Sequence, residues 1–395
     1  MTAPTKPRPI YLDCHATTPV DERVLAKMLP FFSEQFGNPG SEFHSYGWAA
    51  AAAVTRSRSM IATAIGAIPE EIVFTSGATE ANNLAIKGVA EAYLERGRHL
   101  VTVATEHSAV LDPCRYLETV GFEVTYLPVK SDGLVDLDQL ADALRPDTIL
   151  VSVMAANNEI GVLQPIAAIG RLCRDRGILF HTDAAQAIGK VPLDVNDACI
   201  DLMSLTAHKV YGPKGVGALY VRRRDPRVQL AAQLHGGGQE RSRRSGTLNP
   251  PLIVGFAEAI ALALADLDAE TARIRALRDR LWDHLAPEAD PLKIRRNGHP
   301  TECLAGNLHI SIGGLEHRDH NALLRALHPK IALSSGSACA SAHTTPSHVL
   351  TALGLPPAIA VASLRFGIGR FNQPDEIDRT AQIVLETIRA LQGAA

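Results

Sequence analysis

The residues best suited to chemistry are a lysine and an aspartate, Lys209 and Asp183, which lie 26 positions apart in the chain. Each follows an apolar run that is typical of a buried strand. A lysine amine can hold the aldehyde of pyridoxal phosphate as a Schiff base, and a carboxylate can keep the pyridine nitrogen of that cofactor protonated. Either residue alone is more often a helix cap or a solvated charge. The pair therefore predicts a pyridoxal phosphate site only if other segments supply the remaining groups.

The segment 75–80, Thr-Ser-Gly-Ala-Thr-Glu, could bind the phosphate of such a cofactor. It follows a short apolar run and opens a predicted helix, where free backbone N–H groups and the helix dipole attract anions. Thr79 adds a hydroxyl, and Thr206 and His208 add further donors directly before Lys209. The segment could also be no more than a helix N-cap with an acidic first turn.

Three more polar side chains follow predicted strands. His107 could stack on the pyridine ring and move protons, because its unperturbed pKa is near neutrality. It could equally be an ordinary loop histidine. Gln186 and Asn158 offer amide groups at the same predicted edge of the sheet. Polar residues after successive strands thus suit different parts of one cofactor.

Two residues in the last quarter of the chain suit a substrate. Cys339 lies in the segment 332–342, which consists almost entirely of small residues, so we expect a mobile loop that carries a nucleophilic thiol. A buried cysteine is the alternative. Arg365 interrupts an apolar predicted strand and could bind a substrate carboxylate, although an internal Asp or Glu could also be its partner.

Strands and helices alternate from about residue 49 onwards, which predicts an α/β fold with a mostly parallel sheet covered by helices. A helical stretch from Asn249 to about Pro287 and isolated strands follow, which predicts a smaller α+β domain. We place the large domain at 17–262. The small domain comprises 1–16, with an extended N-terminal arm, and 263–395, with the cysteine loop at about 334–346. Seven strands are predicted for the large domain, at 72–74, 100–103, 123–127, 148–153, 178–181, 202–205 and 217–221, and three for the small domain, at 308–312, 331–334 and 360–366.

The composition is that of a soluble globular protein. Of 395 residues, 46% are hydrophobic and 21% are charged, and the net charge of −3 gives no basic surface for nucleic acid. No signal peptide or membrane span is recognisable, so we expect a cytoplasmic protein. The six cysteines are irregularly spaced and form no C-x-x-C pair, which argues against a structural metal.

Taken together, these motifs resemble the cysteine desulfurases of the iron-sulfur and nitrogen-fixation type, in the class V aminotransferase family. The loop around Cys339, Ser-Ser-Gly-Ser-Ala-Cys, resembles the long-loop group of that family. The resemblance extends over nearly the whole chain. The matching segments are 11–13, 16–19, 36–39, 75–80, 157–161, 183–186, 208–215, 236–240, 244–247 and 334–339.

The resemblance implies a homodimeric fold-type I enzyme that converts L-cysteine to L-alanine. Lys209 would bind the cofactor aldehyde, Asp183 the pyridine nitrogen and Gln186 the phenolic oxygen, and His107 would stack on the ring. Asn158 and Arg365 would position cofactor and substrate. Cys339 would take the sulfur as a persulfide and pass it to an acceptor protein. The phosphate would be held by Ala78, Thr79, Thr206 and His208, with Thr247 reaching it from the other subunit.

Two departures from the family pattern concern Cys14 and the C-terminus. Cys14 stands where these proteins commonly carry tyrosine or asparagine, and we assign it no catalytic role. The chain ends 30 residues after Arg365, whereas housekeeping members continue and use that extension to dock a scaffold protein. The sulfur acceptor is therefore left open.

Proteins with the same fold could have other functions. Selenocysteine lysis or a transaminase-like reaction would use the same cofactor, but simple transamination needs no thiol. A catalytically idle interaction platform would not need the lysine, the carboxylate and the thiol together.

Overall fold

The computed structural model describes residues 8–315, 321–336 and 346–393. Its strands are β1 Ile10–Tyr11, β2 Ile72–Thr75, β3 His99–Val103, β4 Glu123–Leu127, β5 Thr148–Ser152, β6 Leu179–Asp183, β7 Leu202–Thr206, β8 Gly217–Val221, β9 Ile294–Arg296, β10 Asn307–Ile312, β11 Ile331–Ala332 and β12 Ser363–Gly367. Its α-helices are α1 Glu22–Met28, α2 Pro30–Ser33, α3 Ser45–Thr63, α4 Ala78–Ala92, α5 Ser108–Thr119, α6 Leu137–Ala143, α7 Ile166–Asp175, α8 Pro250–Ala265, α9 Leu267–Leu285, α10 Ala322–Leu327, α11 His348–Ala352, α12 Pro357–Ala360 and α13 Pro374–Gly393.

The central sheet has the strand order β2-β8-β7-β6-β5-β3-β4. Neighbouring strands are parallel except β8, which runs antiparallel to both β2 and β7. The predicted α/β class with a mostly parallel sheet is confirmed. The carboxyl ends of β2, β3, β5, β6 and β7 consequently lie at one edge of the sheet, and so does the start of β8.

Helices cover both faces of this sheet, which explains why strands such as β3, β5 and β6 are buried along their whole length. One face packs against α3, α7 and α8, through residues such as Ile61, Ile169 and Phe256. The other face packs against α4 and α5, through residues such as Leu84 and Leu117.

A second hydrophobic core surrounds the antiparallel sheet β12-β10-β9 together with α9, α10 and α13. The N-terminal arm contributes to it, because Ile10 and Leu12 are buried there and β1 pairs with β11. The division into a domain at 17–262 and a second at 1–16 and 263–395 stays a prediction.

The predicted elements differ from the observed ones in several details. Strands β1 and β9 were not expected, and the strand predicted at 331–334 ends at Ala332. The helical stretch after Asn249 is two helices, because the backbone leaves the helical region at Asp266 (φ −117°, ψ 18°) between α8 and α9. The two helices pack into different hydrophobic cores, α8 into the core of the central sheet and α9 into the second core, so they do not form one continuous helix. The strand predicted at 360–366 begins only at Ser363, since Pro357–Ala360 forms the short helix α12.

Among the described residues, no helix is long and apolar enough to cross a membrane. Within the same ranges, no group of three or more His, Cys, Asp or Glu side chains is arranged to hold a metal ion.

A buried ion pair ties the segment 236–246 to the sheet. The Glu240 carboxylate accepts two hydrogen bonds from Arg58, at 2.6 and 2.7 Å, and one from the backbone N–H of Phe74 at 2.8 Å. Its side chain is 2% exposed. This contact fixes β2, and therefore the loop that follows it, against a segment far away in sequence.

We predict that Glu240→Gln lowers the free energy of unfolding by about 3 kcal/mol, because it leaves the Arg58 charge buried without its partner. Denaturant unfolding measures the change. The exposed pair between Arg280 and Asp378 provides the control. Asp378→Asn should cost much less than Glu240→Gln, because water screens an exposed ion pair, and equal losses for the two variants would contradict a special role for Glu240.

Candidate active site

A cavity of about 460 Å³ opens at the edge of the sheet where the parallel strands end. Most of the site residues expected from the sequence line it, so the fold brings together residues from 78 to 365. Those lining residues are Ala78, Thr79, His107, Asn158, Asp183, Gln186, Thr206, His208, Lys209 and Arg365.

The Asp183 carboxylate ends β6 and is fixed by two donors. Its Oδ2 accepts a hydrogen bond from Nδ2 of Asn82 at 2.7 Å, and its Oδ1 accepts one from the backbone N–H of Ala185 at 2.9 Å. Lys209 lies in the loop after β7 and lines the same cavity. Asn82, on α4, was not expected from the sequence, because an asparagine inside a helix carries no signal of its own.

The loop between β2 and α4 has the features of a phosphate site. Gly77 adopts φ +154° at the N-cap of α4, and a Cβ added there would meet nothing closer than the Thr206 hydroxyl, at 3.9 Å. A Cβ at Gly217 would come within 2.7 Å of the Gly77 Cα, so only glycine allows β8 to pack behind this loop.

The Thr206 hydroxyl is buried and has no hydrogen-bond partner among the described residues. It lies close to Gly77 at the start of α4, where free backbone N–H groups and the helix dipole favour an anion. An unpaired donor beside a helix N-terminus fits a phosphate oxygen. The residues present therefore fit pyridoxal phosphate, with its phosphate at this loop and its ring towards Asp183.

His107 caps α5, and its Nδ1 accepts a hydrogen bond from the backbone N–H of Ala109 at 3.1 Å. Burial and the neighbouring Lys209 charge lower its pKa, so the ring is neutral at neutral pH and carries its hydrogen on Nε2. The ring lines the cavity. Its stacking on a cofactor stays a prediction.

The amide of Gln186 is held in one orientation. Its Oε1 accepts a hydrogen bond from Lys190 at 2.9 Å, and its Nε2 donates to the carbonyl oxygen of His15 at 2.8 Å. The second N–H of Nε2 can therefore serve a cofactor oxygen. Sequence reasoning missed Lys190, which lies four residues after Gln186.

Arg365 is almost completely buried, and its charge has an internal partner. Its Nη2 donates to Oδ1 of Asp13 at 2.6 Å, and its Nη1 donates to the backbone carbonyl oxygen of Asn158 at 2.9 Å. An internal acid was the alternative partner for Arg365, and the structure contains one, Asp13. The guanidinium still lines the cavity, so a carboxylate ligand remains compatible with this pair.

Two expected site residues are not placed in the cavity. Thr247 is exposed and does not line it within the single chain. Cys339 lies outside the described residues, but both flanks of its segment are tied down near the site. Ser334 donates to Oδ2 of Asp13 at 2.9 Å, and Ser347 donates to Oε2 of Glu159 at 2.6 Å.

Cys14 is buried, and burial raises the pKa of its thiol to about 12. It is therefore a thiol rather than a thiolate at neutral pH, and a thiol is a poor nucleophile.

We predict that Asn82→Ala weakens pyridoxal phosphate binding by about tenfold, because Asp183 loses a buried hydrogen-bond donor. Titration of the apoenzyme with the cofactor, followed by absorbance, measures the dissociation constant. Gln382→Ala removes an exposed amide of α13 that bonds Glu386 and should change nothing. An unchanged affinity in Asn82→Ala would contradict this role for Asn82.

The chain is similar to known proteins over nearly its whole length. Residues 10–380 match the aminotransferase class-V family. The chain is 52% identical to a human cysteine desulfurase over 385 residues, 98% of this chain and 83% of that protein. It is 55% identical to the cysteine desulfurase IscS of Tolumonas auensis over 386 residues, 97% of this chain and 94% of that protein.

Solved structures are similar to this chain in both fold and sequence. A NifS-like protein superimposes with a TM-score of 0.87 and 36% identity, covering 98% of this chain and all of its own. A structure titled SspA in complex with cysteine superimposes with a TM-score of 0.79 and 39% identity, covering 92% of this chain and all of its own. The protein therefore belongs to the class-V aminotransferase family, and its similarity within that family is to cysteine desulfurases.

Proposed function

We propose that the protein is a pyridoxal-phosphate-dependent cysteine desulfurase, which converts L-cysteine to L-alanine and passes the sulfur through Cys339 to an acceptor. The main support for this function is the set of residues that line one cavity. A single cavity holds Lys209, the fixed Asp183 carboxylate, the unpaired Thr206 hydroxyl at a helix N-terminus and the buried Arg365. The similarity to cysteine desulfurases over nearly the whole chain supports the same reaction.

Different residues would hold four parts of the cofactor. Ala78, Thr79, Thr206 and His208 would bind its phosphate, and Asp183 would bind the ring nitrogen. His107 would lie against the ring, and the remaining N–H of Gln186 would donate to the phenolic oxygen. When bound, pyridoxal phosphate supplies an electron-withdrawing ring that stabilises negative charge on the substrate α-carbon.

Lys209 would bind the cofactor through its amine and would move the substrate α-proton once that amine is released. Lys190 and His208 lie near this amine, since the Lys209 charge lowers the pKa of both side chains. The carboxylate of Asp183 would stay opposite, held by Asn82 and Ala185.

Arg365 and Asn158 would position the substrate. Arg365 is fixed by Asp13 and by the Asn158 carbonyl, so its remaining N–H groups have a set direction. A pre-organised guanidinium binds a carboxylate without having to lose side-chain freedom first.

The Cys339 thiol would accept the sulfur of the substrate. A bond forms between the two sulfur atoms, and the bond between sulfur and the substrate β-carbon breaks. The hydrogen of the thiol is balanced by the proton that the carbon product gains, so L-cysteine and a thiol give L-alanine and a persulfide. The acceptor that we propose is a thiol of a scaffold or carrier protein, and iron-sulfur cluster biosynthesis is the pathway that the resemblance implies.

The exposed aromatic residues of the segment 32–48 support a homodimer. Phe43, Phe36, Trp48 and Phe32 have exposed fractions of 94, 63, 59 and 58%, which is unusual for large apolar side chains grouped in so short a segment. Thr247 is exposed as well, as expected of a residue that reaches the phosphate of a second copy. A cytoplasmic location is part of the same proposal.

The alternative functions, an idle interaction platform and another reaction on the same cofactor, have less support. The residues for cofactor chemistry are present, which disfavours an idle interaction platform. Selenocysteine lysis would use the same groups, but the relatives with more than half of their residues identical to this chain are named as cysteine desulfurases.

We predict that Cys339→Ser binds pyridoxal phosphate normally but forms alanine at least about a hundredfold more slowly, because the sulfur acceptor is missing. Intact-mass measurement after brief exposure to cysteine should find one added sulfur atom on the native protein and none on the variant. Cys199→Ser, which changes a partly exposed cysteine, is the matched control. Alanine formation by Cys339→Ser at the native rate would refute the proposed sulfur transfer.

We predict that Phe43→Asp converts the dimer to a monomer, because the aspartate would have to be buried in an apolar interface. Sedimentation velocity measures the mass. Val120→Asp alters an isolated exposed side chain and should leave the dimer intact. A dimeric Phe43→Asp protein would show that this aromatic segment is not the interface.

A further inference from the structure

His15 is a buried polar residue that none of the steps above employs. The residue is 3% exposed, and neither ring nitrogen has a hydrogen bond of good geometry among the described residues, although the Gln186 amide lies beside the ring. Buried polar atoms without partners are costly and uncommon in folded proteins. The ring lines the candidate active-site cavity, so a ligand in that cavity can supply the missing partner.

The position of His15 is set by its surroundings. Its carbonyl oxygen accepts the hydrogen bond from Gln186, and its ring lies so close to Gly367 that a Cβ there would approach its Cδ2 to 3.1 Å. His15 and Lys209 both line this cavity and also a smaller one behind it, of about 40 Å³. The imidazole is therefore part of the wall beside the reactive lysine.

The charges around His15 favour an anion. Burial, and then the positive charges of Lys190, Arg365 and Lys209, lower its pKa well below the usual value. The ring is thus neutral at neutral pH, with one nitrogen that donates and one that accepts. A neutral donor that lies among cations is suited to a carboxylate.

We propose that His15 is a substrate-binding residue whose ring N–H donates a hydrogen bond to the α-carboxylate of the amino acid, beside Arg365. Arg365 already uses two N–H groups for Asp13 and Asn158, and its buried Nε has no partner among the described residues. A carboxylate has two oxygens, so one can face Arg365 while the other faces His15. This inference depends on the proposed function, because it deepens the recognition of the same substrate.

Two variants separate hydrogen bonding from packing. His15→Leu keeps a similar volume but has no polar atom, whereas His15→Gln keeps one donor and one acceptor. Both are compared with the native holoenzyme by calorimetric titration with L-alanine and with ethylamine, which is alanine without its carboxylate. The KM for L-cysteine and the cofactor content are measured on the same samples.

In His15→Leu we expect L-alanine to bind about tenfold to a hundredfold more weakly, with a matching rise in KM, while ethylamine binding and cofactor content stay the same. His15→Gln should recover most of the loss. Equal affinity for L-alanine in all three proteins would overturn the proposal, and so would an equal loss for ethylamine. A native holoenzyme that produces no alanine from cysteine would instead overturn the proposed function, and the recognition of its substrate with it.

Discussion

The buried guanidinium of Arg365 is the contact on which the site depends most. It belongs to β12 of the small sheet, its ion pair is with Asp13 of the N-terminal arm, and its other hydrogen bond is to the backbone after β5. Three distant segments of the chain therefore meet at one charge. Since an unpaired buried charge costs several kcal/mol, the three segments are favoured only in this arrangement. The contacts of Arg365 therefore fix the positions of the three segments around the cavity.

On the side of the cavity formed by the central sheet, the direction of the strands determines which polar residues come together. Because β2, β3, β5, β6 and β7 are parallel, the residues that follow them meet at one edge. The antiparallel β8 matters just as much, because it begins at that edge with Gly217 and leaves room for the loop around Gly77. The central sheet thus supplies most of the polar groups, while the three-stranded sheet supplies Arg365. The site combines parts from both sides of the fold.

The sequence predicted those features that depend on periodicity and on motifs. Apolar runs located the central strands to within one or two residues, and the polar residues after them are the ones that line the cavity. It did not predict the break at Asp266, because the helical pattern continues through it and the change of direction depends on which core each helix joins. Asn82, Lys190 and His15 were also missed. Their importance comes from contacts with residues far away in sequence or from the absence of a partner, and neither leaves a local pattern.

The pairing of the N-terminal arm with the end of the chain has a consequence for biosynthesis. Ile10 and Leu12 leave the ribosome well before their partners, because β11 and Arg365 lie more than 300 residues later in the chain. At roughly 5–20 residues per second, the arm waits for about 15 s or more before its partners exist. Its apolar side chains are exposed during that time. The active site can be completed only after Arg365 has been synthesised, whatever the folding rate of the central sheet.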